Sequence, residues 1–192
     1  MRDDVLELVK FMRDKGFKTT IATNGWLIDD AMAKRIVDSG LSSIILSLDS
    51  LNPEIHDEMR GVRGVQEQVV QAIDNIRKYS RDIHVGLCSI IMDKTLDSVI
   101  DLVEWSNARR GYINSHLFMA VMQPNNTVTQ DEWFDSESLG GIWPRDKQKA
   151  IDIVDDLLAR RNSGYWIGNS PEQLEAFKMY FDNPTRDRKS TR

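Results

Sequence analysis

The 192-residue chain has one cysteine, Cys88. That excludes an internal disulfide, and it excludes an iron–sulfur or zinc–thiolate site built from this chain alone. A lone thiol suits a reducing compartment. An excess of basic charge is also missing: 30 acidic residues against 25 basic ones give a net charge of −5. A general nucleic-acid grip needs a basic face, so no nucleic-acid partner is expected. No apolar run approaches the roughly 20 residues of a membrane span. The opening "MRDDVLELVKFMRDKG" is acidic and amphipathic, unlike a secretory leader. A soluble, cytoplasmic protein is the expectation. There is no G-x-G-x-x-G after a strand and no Walker-type loop, so nucleotide-binding sheets lose their usual signature.

What is present is a repeat punctuated by glycine. Gly16, Gly40, Gly111 and Gly164 each follow a charge-rich helical stretch and precede an apolar, strand-like run. Glycine just past a helix is the common left-handed cap. The pattern predicts a helix over about 4–15, a strand "KTTIATNG", a helix near 29–39 and a strand "SSIILSLDS". Asn52 and Pro53 open a short acidic helix. A longer helix over about 64–79, the strand "HVGLCSII" and a helix from Thr95 to Arg109 follow. Then come the strand "NSHLFMAVM", an irregular loop at 125–143, a helix opened by Pro144, a short strand "YWIGNS" and a last helix capped by Ser170. Strands alternating with helices imply a parallel sheet, either open or part of a (β/α) barrel. A leading helix suggests that a strand before it is missing. The tail 183–192 has no apolar residue and is expected to be loose.

In parallel α/β folds the chemistry gathers at the C-terminal ends of the strands. Those ends are polar here: "ATNG", "SLDS", "SIIMDKT", "MAVMQPNN" and "IGNS". Thr23 and Asn24 end the first strand. Ser47 and Asp49 lie two apart and are expected on one face, with Ser89 near the third end. Such a set suits a polar ligand carrying an amine, a carboxylate and hydroxyls. Asp49 is the candidate for the amine or ribose hydroxyls and Arg60 for a carboxylate. Each end alone is also explained by turn chemistry, Thr-Asn-Gly above all. Other residues carry weaker signals. His56 sits in an acidic helix and reads as solvated, and His84 and His116 lie at strand starts away from the chemistry. Cys88 reads as a small core residue, and Asp155 and Asp156 as a solvated helix face. Trp133, Trp143 and Trp166 read as packing the long loop over the mouth of the sheet.

"TIATNG", "SIILSLDSLNPEIHDEMRG" and "HVGLCSIIMDKTLDSVIDLVEWSNARRG" together resemble consecutive segments of the radical S-adenosylmethionine (SAM) enzyme core. The resemblance covers residues 1–123, read as the C-terminal two-thirds of a partial (β/α) barrel whose N-terminal strands are missing. Residues 124–182 are read from the same resemblance as the last barrel elements and a linker toward a C-terminal extension. In that family a [4Fe–4S] cluster on a CxxxCxxC loop binds and cleaves SAM. The resemblance implies that Asn24, Ser47, Asp49, Arg60 and Ser89 contact SAM or lie beside it. The cluster motif and the glycine-rich second-strand segment are absent, and Thr95 stands where many members have asparagine. The chain is therefore expected to be an inactive fragment whose partner is the missing N-terminal segment of its parent, with the substrate unknown. The alternatives are a non-catalytic module of the same fold acting as a binding or partner subunit, and an unrelated barrel aldolase or phosphate binder. An open barrel also leaves a sheet edge exposed, so self-pairing is expected.

Overall fold

A computed structural model describes residues 4–122, 134 and 142–184. Most of the long loop, including Trp133, and the tail from 185 lie outside the described residues. The elements are α1 (Val5–Asp14), β1 (Thr20–Thr23), α2 (Asp30–Ser39), β2 (Ser43–Ser47), α3 (Pro53–Arg60), α4 (Val65–Tyr79), β3 (His84–Ile91), α5 (Val99–Ala108), β4 (Ser115–Ala120), α6 (Lys147–Asn162) and α7 (Pro171–Asp182). A 3₁₀ turn, Asp93–Ser98, precedes α5.

The four strands form one parallel sheet in sequence order. Its architecture is α/β, as the alternation of strands and helices predicts. Burial alternates along each strand, which assigns the two faces. Ile44 and Leu46 of β2 and Val85 and Leu87 of β3 are buried. They join one apolar cluster with Val69, Ala72, Ile73 and Ile76 of α4 and Ile36 of α2. Helices therefore cover that face. A second cluster joins Phe118 of β4 to Val154 and Leu157 of α6 and to Leu174 and Phe181 of α7. At the N-terminal end of the sheet the Arg77 guanidinium donates to Tyr112 O at 2.7 Å, Ile83 O at 2.8 Å and Asn114 Oδ1 at 2.6 Å. It pins the starts of β3 and β4 together.

Three element boundaries depart from the sequence pattern. The helix expected from Thr95 begins as the 3₁₀ turn. Thr95 Oγ1 accepts from Met92 N at 3.1 Å and donates to Ile90 O at 2.8 Å, which tightens the chain there. The helix expected at Pro144 begins at Lys147, because Asp146 takes the N-cap and accepts from Lys149 N at 2.9 Å. "YWIGNS" forms no strand of its own but one parallel bridge, Ile167 to His116. The Asn169 side chain then extends that bridge along β4. It accepts from Phe118 N and donates to Phe118 O, both at 2.8 Å.

Candidate functional site

Register decides which side chains share a face. Ser47 pairs with Cys88, and Cys88 with Leu117. Ile45, Ser47, Cys88, Ile90, Leu117 and Met119 therefore lie on the face opposite the helix layer. Ala22 pairs with Ile45, so β1 adds Ala22 and, one residue past the strand, Asn24 to that row. Asn24 is exposed and Ser47 half-buried. These two candidates stand at the C-terminal ends of adjacent strands on one open face.

Local chemistry explains how Asn24 is held. Gly25 has φ +75, and a Cβ there would lie 3.3 Å from both Leu46 and Val69. The positive φ favours glycine, and the two close contacts leave little room for a larger residue. Thr23 Oγ1 accepts from Gly25 N at 3.2 Å and Asn24 Oδ1 from Trp26 N at 3.3 Å. The turn uses only the carbonyl oxygen of Asn24. Among the described residues its NH₂ group and the Ser47 hydroxyl carry no hydrogen bond.

The end of β2 is built differently. Leu48 N donates to Cys88 O at 3.1 Å, the last ladder bond to β3. The next free amide of β3, Ile90 N, donates to Asp49 Oδ1 at 2.9 Å instead. Asp49 thus substitutes for backbone where β2 peels away. Its other oxygen accepts from Arg60 Nη2, and its side chain is 0% exposed against 26% for Arg60. Asp49 and Arg60 are brought together, but as a pair with each other. Among the described residues the Arg60 Nε is buried without a hydrogen-bond partner.

The acidic helix α3 has a job for each turn. Asn52 Oδ1 caps it by accepting from Glu54 N at 2.9 Å. His56 is fully buried, not solvated as its acidic neighbours suggest. Its Nδ1 accepts from Asp49 N at 3.1 Å, so the ring proton sits on Nε2, which is buried and unpartnered among the described residues. Burial lowers the His56 pKa below the usual imidazole value, outweighing the Asp49 charge. A neutral His56 makes no salt bridge with Asp49 Oδ2 at 3.7 Å. Asp57 reaches forward to accept from Gly64 N and from Gln66 N, at 2.9 Å for the latter. It caps α4, whose N-cap Gly64 has no side chain. Those backbone bonds hold the Asp57 carboxyl below its ordinary value.

Ser89 is not on the open face. It follows Val85 and Leu87 in the buried row, is 2% exposed, and donates to Leu48 O. Its oxygen also lies 2.7 Å from His116 Nε2, and His116 Nδ1 lies 3.0 Å from Ser106 Oγ. Ser89 spends its proton on Leu48, so the Nε2 proton belongs to the imidazole. His116 is a buried strut between β3, β4 and α5, stacked on Phe118 at 4.1 Å. Burial pushes its pKa down to about 3.

Other residues are also placed differently from their sequence expectation. Cys88 lies half-buried on the open face rather than in the core, with burial raising its thiol pKa. Asp155 and Asp156, by contrast, lie on the exposed helix face expected of them, 51% and 41% exposed, where Asp155 pairs with Lys178 at 2.6 Å and Asp156 with Arg160 at 3.1 Å, joining α6 to α7 and bracing α6 itself. Trp143 packs on Phe181 and Tyr180, whereas Trp166 is 43% exposed with Arg110 over its ring. Asn169, from the polar end "IGNS", is buried against β4.

Residues 1–106 match the family model of the radical SAM superfamily. The chain belongs to that superfamily. This radical SAM chain is similar to Fe-coproporphyrin III synthase of Methanosarcina barkeri, 36% identical over 107 residues, covering 54% of the chain and 26% of the relative. It is 31% identical over 121 residues to the AdoMet-dependent heme synthase of Nitratidesulfovibrio vulgaris, covering 63% of the chain and 32% of the relative. The matches thus span between a quarter and a third of these relatives' length. Its fold is that of Streptococcus suis SuiB, solved bound to S-adenosylmethionine: TM-score 0.62 at 16% identity, over 88% of the chain and 36% of SuiB. The radical SAM partial barrel is thereby the fold class.

The family implies two cofactors, and the residues fit them unequally. A [4Fe–4S] cluster is held by cysteine thiolates. The chain has one cysteine, and among the described residues no group of histidines, cysteines or carboxylates is arranged for a metal. The donor set does not fit the cluster. SAM carries a carboxylate, an amine, ribose hydroxyls and a base. Arg60 with an unpaired Nε, the Asn24 amide and the Ser47 hydroxyl fit those groups. Among the described residues no helix is long and apolar enough to cross a membrane.

Proposed function

We propose that this chain is the SAM- and substrate-facing side of a radical SAM enzyme. The complete enzyme would cleave SAM reductively at a [4Fe–4S] cluster and generate a substrate radical. The observation that carries this reading is the open face itself. The Asn24 NH₂ group and the Ser47 hydroxyl, neither of them hydrogen-bonded among the described residues, end neighbouring strands there, and Arg60 keeps a buried donor unused among the described residues beyond the end of β2.

Roles follow from side-chain chemistry. Arg60 takes the carboxylate, and Asn24 and Ser47 take hydroxyl or amine groups. Asp49 and Ser89 support these contacts from behind rather than making them, since their polar atoms are spent within the protein. The iron–sulfur centre supplies the electron for SAM cleavage, and its ligands come from outside these 192 residues. The relatives include heme synthases and a probable GTP 3′,8-cyclase of Thermococcus kodakarensis. Similarity at this level selects a chemistry and leaves the substrate open.

Calorimetric titration of the chain with SAM tests the proposal. Saturable one-to-one binding is expected, weakened about tenfold or more by Asn24→Ala combined with Ser47→Ala, with only a small fall in melting temperature from the lost Asn24–Trp26 bond. No saturable binding, or binding indifferent to both substitutions, overturns it.

A further inference from the structure

The helix layer, on the side of the sheet away from the open face, contains a cleft of its own. Helix α4 packs closely against α2 and α3 and only sparsely against α5. Gln66, Val70, Asp74 and Arg77 form one row of α4, spaced four, four and three residues apart. The half of that row nearer the strand starts is closed. Asp74 Oδ1 accepts from Arg109 Nη2 at 2.5 Å, and Arg77 donates to Tyr112 O at 2.7 Å. The other half is open. Gln66 and Val70, with Trp105 of α5 and Leu51 from the turn before α3, line a cleft of about 710 Å³. Gln66 is the unexpected residue in that lining. It is 7% exposed, yet among the described residues only its backbone N–H is hydrogen-bonded, to Asp57. Two neighbouring amides in the cleft are engaged: Gln68 Nε2 donates to Ile28 O at 3.4 Å and Gln71 Nε2 to Asn75 Oδ1 at 3.1 Å. A buried amide without a partner costs free energy that an apolar residue of similar size avoids. Packing alone gives no reason for glutamine at this position.

We propose that the cleft between α4 and α5 is a docking site for an extended peptide segment of a partner protein, held through its backbone by Gln66. A glutamine amide carries both an acceptor and donors, which match the N–H and C=O of a peptide group. Leu51, Val70 and Trp105 supply apolar contact for one side chain of the segment. The Arg109 guanidinium lies 5.1 Å from the centre of the Trp105 ring and holds the indole in place before anything binds. Charge narrows the segment further. Glu67 lines the cleft without an ion-pair partner among the described residues, no basic residue lines it, and the chain as a whole carries −5. A phosphate or carboxylate meets repulsion there, whereas a lysine or arginine beside the apolar residue is favoured. The cleft is independent of the function proposed above, because α4 covers the face of the sheet opposite Asn24 and Ser47.

The test is an NMR titration of the ¹⁵N-labelled chain with a capped tetrapeptide of glycine, lysine, leucine and glycine. The side-chain NH₂ signals of Gln66 and the indole signal of Trp105 should shift saturably, with a Kd of about 1 mM or tighter. Gln66→Leu should weaken binding about tenfold or more while the melting temperature holds or rises, since an unpaired amide gives way to an apolar group. The same peptide with glutamate in place of lysine should bind about fivefold more weakly or worse. A fall in melting temperature in Gln66→Leu marks the amide as a structural group bonded through water and overturns the proposal. So does the absence of a saturable shift, binding that Gln66→Leu leaves unchanged, or equal binding of the two peptides. Equal shifts with adenosine or maltose would make the cleft a small-molecule site and overturn the peptide assignment. Shifts of the Gln66 and Trp105 signals that grow with chain concentration alone would give the cleft to a second copy and overturn the assignment to a partner.

Discussion

His116 shows how much a single buried side chain sets the response to acid. Its ring is fully enclosed, neutral and hydrogen-bonded at both nitrogens. The folded pKa near 3 lies below the unfolded value near 6.5. The unfolded chain therefore takes up the proton first, so this contribution is intact above pH 6.5 and is lost as the pH falls toward 3. Between pH 7 and pH 5 the loss is about 2 kcal/mol from His116 alone. His56 acts in the same direction, its pKa also being lowered by burial. Urea unfolding at the two pH values should show the drop, and His116→Gln should reduce it while lowering stability at pH 7. An equal pH slope in that variant would sink this account. The sequence hid both histidines for a physical reason. Helical neighbours such as Glu54, Asp57 and Glu58 make His56 look solvated, but it is the strand end, distant by seven residues, that buries it. Ser89 was legible in principle. Val85, Leu87, Ser89 and Ile91 form one period-two row, so parity alone assigns Ser89 to the apolar face. Parity fails for Asp49, which lies past the last strand residue, Ser47.

At the scale of elements, periodicity served well wherever local sequence decided the outcome. Helices α2, α4 and α7 begin within a residue or so of their expected starts, because Asp29, Gly64 and Ser170 mark them. It served less well where one side chain replaces backbone across a long separation. Asn169 is such a case, pairing both polar groups of Phe118 at a separation of 51 residues. Asn169→Ala leaves a buried N–H and a buried C=O unsatisfied and should cost about 2–3 kcal/mol. The measurement is the unfolding midpoint, and a loss below about 0.5 kcal/mol would show that the edge of β4 is closed by other means. Asp57→Ala makes a parallel case at the start of α4. It removes the acceptor for Gly64 N and Gln66 N and should lower the unfolding midpoint, whereas Asp57→Asn, which keeps an acceptor, should lower it less. The motif "HDEMRG" is thus read in full only in three dimensions: His56 holds the strand end, Asp57 the next helix, Arg60 the buried carboxylate, and Gly61 the turn.

The whole molecule has one well-closed side and one open side. Beyond β4 the edge is covered by Ile167 and by the Asn169 side chain. Beyond β1 no strand pairs among the described residues. Ser43 N donates to Thr19 O at 3.1 Å, which sets the phase of the β1 ladder. In a parallel pair alternate residues bond to alternate sides. Ile21 and Thr23 therefore serve β2, while Thr20 and Ala22 turn their backbone groups outward. Phe11 and Phe17, both 58% exposed, lie in α1 and in the segment leading to that edge. A row of unpaired amides is a template for another strand. The chain alone should therefore self-associate with rising concentration, seen as a growing weight-average mass in sedimentation equilibrium. Ala22→Pro removes an outward N–H without touching the bonds to β2, since proline is tolerated where the amide faces away from the ladder. It should shift association to at least tenfold higher concentration with a small change in melting temperature. Association that persists unchanged in Ala22→Pro would place the contact elsewhere, with the exposed phenylalanines of α1 and its flank as the next site to substitute.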